Sequence, residues 1–129
     1  ESFGGGGASC GDGPGRGGAR RLELRRRPKP LRSSVVATGF SYSRAQRELQ
    51  GAVAARLLGQ VADLRRSGSA ALDLSPWDYA AGSIIARAAG AGVALLEAAH
   101  GKGPAVVGAH PEVLPEFVAM LRAAGALKG

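Results

Sequence analysis

Between Arg65 and Gly90 the chain sets two small-residue helix starts close together: Gly68-Ser69-Ala70-Ala71, and Ser75-Pro76-Trp77-Asp78 running on into Tyr79-Ala80-Ala81-Gly82. The first backbone N–H groups of a helix have no partner inside it, so both starts are potential anion sites. Asp78 adds a carboxylate at the mouth of the second. These are parts that a phosphate-handling, metal-assisted site requires. On spacing alone Asp78 also has a purely structural reading, with Ser75 as N-cap, Pro76 at N1 and Asp78 at N3. Gly68, Ser69 and Ala70 are open in the same way. Small residues let a ligand approach the backbone closely, and they also let a helix start pack against a strand.

Other reactive side chains are few. His100 stands in a Gly-rich turn and His110 precedes Pro111, so both are expected at the surface. No Ser/His/Asp arrangement or Cys/His spacing supports nucleophilic catalysis. The single cysteine, Cys10, excludes an internal disulfide and a thiolate metal cluster. Gly4-Gly5-Gly6-Gly7 is preceded by no strand and followed by no Gly-Lys-Ser/Thr, and reads as linker. Trp77 reads as a packing anchor.

The elements that must position these residues alternate. Val35-Val36-Ala37-Thr38 is a short β-branched run ending at Gly39, the pattern of a buried strand. Ser43 and Gln46 form a capping-box pair, and Leu49, Val53 and Leu57 then recur at helical spacing until Gly59 stops the helix. Val61–Leu64 is a second strand that delivers Arg65 and Arg66 to its end. Gly92–Leu96 and Ala105–Ala109 are further strands around a turn at His100–Gly103. A last helix opens at Pro111 or Pro115, since proline fits the first turn. It places Glu112 or Glu116 near its positive end, shows an apolar face of Phe117, Val118 and Leu121, and ends at Gly125. Strands alternating with helices predict a layered α/β domain.

Residues 1–32 read differently. Glu1–Gly18 is Gly-rich and low in complexity, and is expected to be disordered. The following basic stretch alternates over Arg21–Arg25, as an edge strand does, before Pro28 and Pro30 end any regular element. Within residues 1–32, eight Arg and Lys oppose three acidic residues, a net of +5 out of +7 for the whole chain. Such an excess favours anionic partners. No aromatic is interleaved to stack on bases, so the stretch reads as a solvated basic tail and not as a nucleic-acid site. No apolar run is long enough to span a membrane and no signal-peptide pattern opens the chain. A cytoplasmic location is the expectation, with no membrane partner. Because the chain opens on Glu1 and not Met, it is expected to be a fragment or a processed product.

Trp77-Asp78-Tyr79-Ala80-Ala81-Gly82, the short helix behind it and Ala89-Gly90 resemble the C-terminal signature of the inositol monophosphatase family. Arg66-Ser67-Gly68-Ser69-Ala70-Ala71 resembles the segment that precedes that signature. The order of elements agrees from about Ser33 to Leu127, the back half of a typical member. The resemblance implies a Mg²⁺-dependent phosphomonoesterase acting on a phosphorylated small molecule such as an inositol phosphate. It implies that Asp78 is a Mg²⁺ ligand and that Gly68, Ser69 and Ala70 contact the alcohol part of the substrate. Ser41 and Tyr42 lie where members often touch substrate, and a homodimer is a common family assembly. The fold it implies for residues 33–129 is the C-terminal, incomplete part of an inositol monophosphatase-like α/β domain.

Three departures from the family pattern bear on activity. The glutamate pair and the Asp-Pro-x-Asp-Gly-Thr motif that supply most of the family's metal site are absent. Leu74 runs straight into Ser75, where members carry the rest of a helix and a central strand, and losing that strand leaves its neighbours without ladder partners. The family's Glu-Ala-Gly-Gly becomes Ala88-Ala89-Gly90-Ala91. One carboxylate does not hold two cations against a phosphate. These residues alone are therefore expected to be inactive, and the alternative is a non-catalytic α/β unit with a basic, anion-binding tail.

Overall fold

Val35–Thr38 forms β1, Arg44–Leu58 forms α1 and Asp63–Arg66 forms β2, in a computed structural model that describes residues 21–24, 27–66 and 76–129. The two strands pair in parallel, with Val35 opposite Asp63 and Thr38 opposite Arg66, and α1 is the crossover between them. A parallel pair needs such a connection, because a tight turn cannot reverse the chain twice. Arg65 and Arg66 belong to β2 itself, and do not follow its end, because the ladder runs on to Ala37 and Thr38. A hydrogen bond from the Ala62 N–H to the Ser34 carbonyl (3.0 Å) extends it at the other end.

The helix α2 spans Pro76–Ala88, followed by β3 at Gly92–Glu97, β4 at Pro104–Ala109 and α3 at Leu114–Ala123. β3 and β4 make an antiparallel hairpin around the expected turn, with Gly92 opposite Ala109 and Glu97 opposite Pro104. A bridge between Ala98 and Leu127 ties the C-terminus to the end of β3. Among the described residues the strands thus form two separate two-stranded sheets.

The core is small and lies under α3. Phe117 packs with Val107 and Leu31, with Leu96, Val113 and Leu121 around them. Ala98, Ala105 and Leu127 form a second cluster beside it. Leu31 stands in a 3₁₀ turn, Leu31–Ser33, and is only 6% exposed. Composition assigns it to the basic tail, yet packing joins it to the domain. Of the alternating stretch just before it, residues 21–24 are not in a strand; the Leu24 N–H donates to the Ala89 carbonyl at 2.9 Å. The Gly-rich residues 1–20, Cys10 among them, lie outside the described residues.

Local details depart from expectation where a competing hydrogen bond wins. Ser43 occupies the N-cap of α1 without a side-chain cap bond. Its box partner Gln46 instead accepts from the Ser41 hydroxyl at 2.6 Å. The last helix begins at Leu114, not Pro111, because the His110 carbonyl accepts from both Val113 and Leu114 N–H groups and sets a turn first. Pro115 then falls in the first turn, with Glu116 beside it. Gly125 follows the helix with φ +84°, a left-handed conformation that costs a glycine little.

Candidate functional site

The loop after β1 is the best-fastened polar feature among the described residues. The Ser41 N–H donates to Gln50 Oε1 at 2.8 Å, its hydroxyl donates to Gln46, and the Ser43 N–H donates to the Ser41 hydroxyl at 3.1 Å. Arg47, one turn into α1, folds back so that Nη1 donates to the Ser41 and Tyr42 carbonyls. Glutamine and arginine on the first turns of α1 hold the loop from one side. Sequence reasoning placed Ser41 and Tyr42 near a substrate but missed Gln50 and Arg47. Their signal was positional, since long polar side chains one to two turns into a helix reach back over its N-terminus. Tyr42 is left 81% exposed.

At the same end of the parallel pair, Arg65 and Arg66 stand opposite Ala37 and Thr38. Arg65 is ion-paired to Asp63 at 2.6 Å on the same strand, with the arginine well exposed to solvent and the aspartate half-buried. A surface pair of this kind contributes on the order of 0–1 kcal/mol and leaves the arginines ready to exchange partners.

Asp78 lies in the first turn of α2 and is exposed. A carboxylate there is favoured by the positive end of the helix. Ser75, the expected N-cap, and Gly68, Ser69 and Ala70, the expected substrate contacts, lie outside the described residues. Trp77, expected as a packing anchor, is 80% exposed. α2 packs on β3 and β4 through the face that carries buried Ser83, and Trp77 does not share that face. His100 is exposed as expected. His110 is half-buried, and its Nδ1 accepts from the Glu112 N–H at 3.2 Å, an arrangement that shapes the turn before α3.

Mg²⁺ needs about six oxygen ligands in near-octahedral array, usually including one or two carboxylates with water and substrate phosphate. A pair of such cations needs more acidic residues than one. Among the described residues no group of three or more His, Cys, Asp or Glu could hold a metal ion. The described residues therefore do not make a Mg²⁺ site, and Asp78 is the one acidic residue that both the helix start and the signature single out.

No family model matches the chain. Curated relatives do. The chain is 39% identical over 109 residues to the inositol-1-monophosphatase SuhB of Mycobacterium tuberculosis, covering 71% of this chain and 38% of that protein. It is 32% identical over 114 residues to SuhB of Escherichia coli, which is named a Nus factor, covering 73% of this chain and 42% of that protein. The solved structure of Mycobacterium tuberculosis SuhB superposes with a TM-score of 0.68 at 34% identity, over 83% of this chain and 48% of the other. The chain thus spans about two fifths of the length of the curated relatives it matches.

Proposed function

From the chain's membership of the inositol monophosphatase family we propose that it is the C-terminal portion of a Mg²⁺-dependent phosphomonoesterase, with a phosphorylated small alcohol as the substrate class. In this reading Asp78 is one ligand of a metal site completed by residues other than the described ones. Gly68, Ser69 and Ala70 orient the alcohol, and Arg65 and Arg66 add positive potential where an anionic substrate approaches. The observation that carries the reading is the likeness in both sequence and backbone to a protein named inositol-1-monophosphatase.

As an activity of this chain by itself, the same reading gives none. One carboxylate at an exposed helix start offers a cation neither the ligand number nor the enclosure it needs. The second reading, a non-catalytic α/β unit, draws support from the relative named a Nus factor. Phosphate release from inositol 1-phosphate, with and without Mg²⁺, on the chain and on Asp78→Asn tests the proposal. No turnover in either is expected. Mg²⁺-dependent turnover that Asp78→Asn abolishes would overturn the inert reading and bring ligands from a second chain.

A further inference from the structure

The basic stretch before β1 is fastened to the domain at three points. The Leu24 N–H donates to the Ala89 carbonyl just past α2, Leu31 is buried against Phe117, and the Ser34 hydroxyl donates to the Pro30 carbonyl at 2.9 Å. Pro28 and Pro30 fix φ on either side of Lys29, and Pro30 takes polyproline II angles, φ −55° and ψ 148°. On this held backbone Arg21, Arg27, Lys29 and Arg32 are all exposed. Arg21 lies 3.8 Å from Glu23, whereas none of Arg27, Lys29 and Arg32 makes an ion pair among the described residues. Arg87, exposed in the last turn of α2, stands two residues before the Ala89 acceptor. The charge and its fastening belong to these residues themselves, and not to a space left beside them.

A cationic row held against a folded unit has less conformational freedom left to lose on binding than a free tail has. Residues 1–32 hold seven arginines and one lysine. Guanidinium is the cation best suited to phosphate, which it meets through two parallel N–H···O bonds. The lack of interleaved aromatics removes stacking on bases, but contact with phosphates needs none, and such contacts supply most sequence-independent affinity. We propose that the fastened stretch 21–32, together with Arg87, is a sequence-independent binding surface for the phosphate backbone of a nucleic acid. An acidic lipid surface is disfavoured, because Leu22 is the one large apolar side chain of the stretch left well exposed, too little to enter a bilayer. The proposal does not depend on Asp78 or on a metal site.

The test titrates the full chain into a fluorescein-labelled twelve-nucleotide oligouridylate and reads anisotropy as salt is raised. With about five phosphates neutralised, the slope of log affinity on log salt should be about −3.5, so binding weakens about a hundredfold between about 50 and about 200 mM. Arg27→Gln with Lys29→Gln and Arg32→Gln should flatten that slope to about −1.4. Arg44→Gln with Lys102→Gln and Arg122→Gln removes the same charge at exposed positions elsewhere, and should leave the slope near that of the parent chain. Far-UV circular dichroism checks that both triple variants keep the fold. Equal slopes for the two triple variants would overturn the proposal, because binding would then track net charge and not this surface. No binding at the lowest salt would overturn it as well. Displacement of the oligouridylate by a twelve-residue oligoglutamate at equal concentration, or by phosphatidylserine vesicles at equal anionic charge, would overturn nucleic acid as the partner.

Discussion

Leu31 sits at the boundary between tail and domain, and Leu31→Ala tests where the packed unit begins. The side chain is 6% exposed and touches the Phe117–Val107 cluster. Truncation removes three carbon groups, each contributing about 0.8 kcal/mol on burial, so the transfer loss is about 2.4 kcal/mol. The cavity contribution should be small, because Leu31 already lines the open cleft between β1 and β4 and water can enter the space. With a urea slope near ~1.2 kcal/mol per molar for a unit this small, the midpoint should fall by about 2 M at unchanged slope. Far-UV circular dichroism is the right probe, since Trp77 is too exposed for its fluorescence to report burial. Arg32→Ala, exposed in the same turn, is the control and should stay within about 0.5 kcal/mol. A Leu31→Ala shift as small as the control's would refute the core assignment and return Leu31 to the tail.

Other substitutions follow from the same contacts. Ser83 is buried in α2 with its hydroxyl unpartnered, so Ser83→Ala should leave stability unchanged or raise it by about 1 kcal/mol in thermal melts. Arg56 Nη1 donates to the Ala124 carbonyl at 2.8 Å and places its charge at the negative end of α3. Arg56→Ala should lower stability by roughly 1 kcal/mol, read as a shift in the urea midpoint. Gly125→Ala forces an L side chain to φ +84° and sets its Cβ 3.1 Å from that same Arg56 nitrogen. It should cost about 1–2 kcal/mol by the same measurement, less in the Arg56→Ala background.

How far the fold could be read in advance depended on the physics of each segment. β1, α1 and the β3–β4 hairpin were legible as elements because apolar runs and helical spacing mark them, and burial follows at Leu57 and Val107. β1 is not the buried strand its apolar run suggested, since among the described residues it lies at a sheet edge with Val35 46% exposed, and Leu49 of α1 is 41% exposed. The family likeness was legible too, because Trp77-Asp78 and Arg66-Ser67-Gly68 are local strings. Boundaries set by single competing hydrogen bonds were not. Gln46 satisfies Ser41 instead of capping Ser43, and His110 holds a turn that delays α3 to Leu114. Leu31 was missed because nothing in a Pro-flanked basic stretch signals a long-range contact to Phe117. Trp77 misled because its size suggests an anchor, whereas helix phase turns it to solvent. At the candidate site, Asp78 falls in the first turn of α2 as its spacing requires. Gln50 and Arg47 emerge only once α1 folds its side chains back over the loop.

We propose that Asp78 is one carboxylate of a metal site that the described residues do not complete by themselves. Mg²⁺ titration of the full chain, followed by calorimetry and by the NMR shifts of the Asp78 region, tests it most directly. The account expects no saturable site tighter than about the millimolar range at which weak cation modules work, and no difference for Asp78→Asn. Saturable binding of about 10⁻⁵ M or tighter that disappears in Asp78→Asn would contradict it, and would show that this chain assembles a metal centre alone.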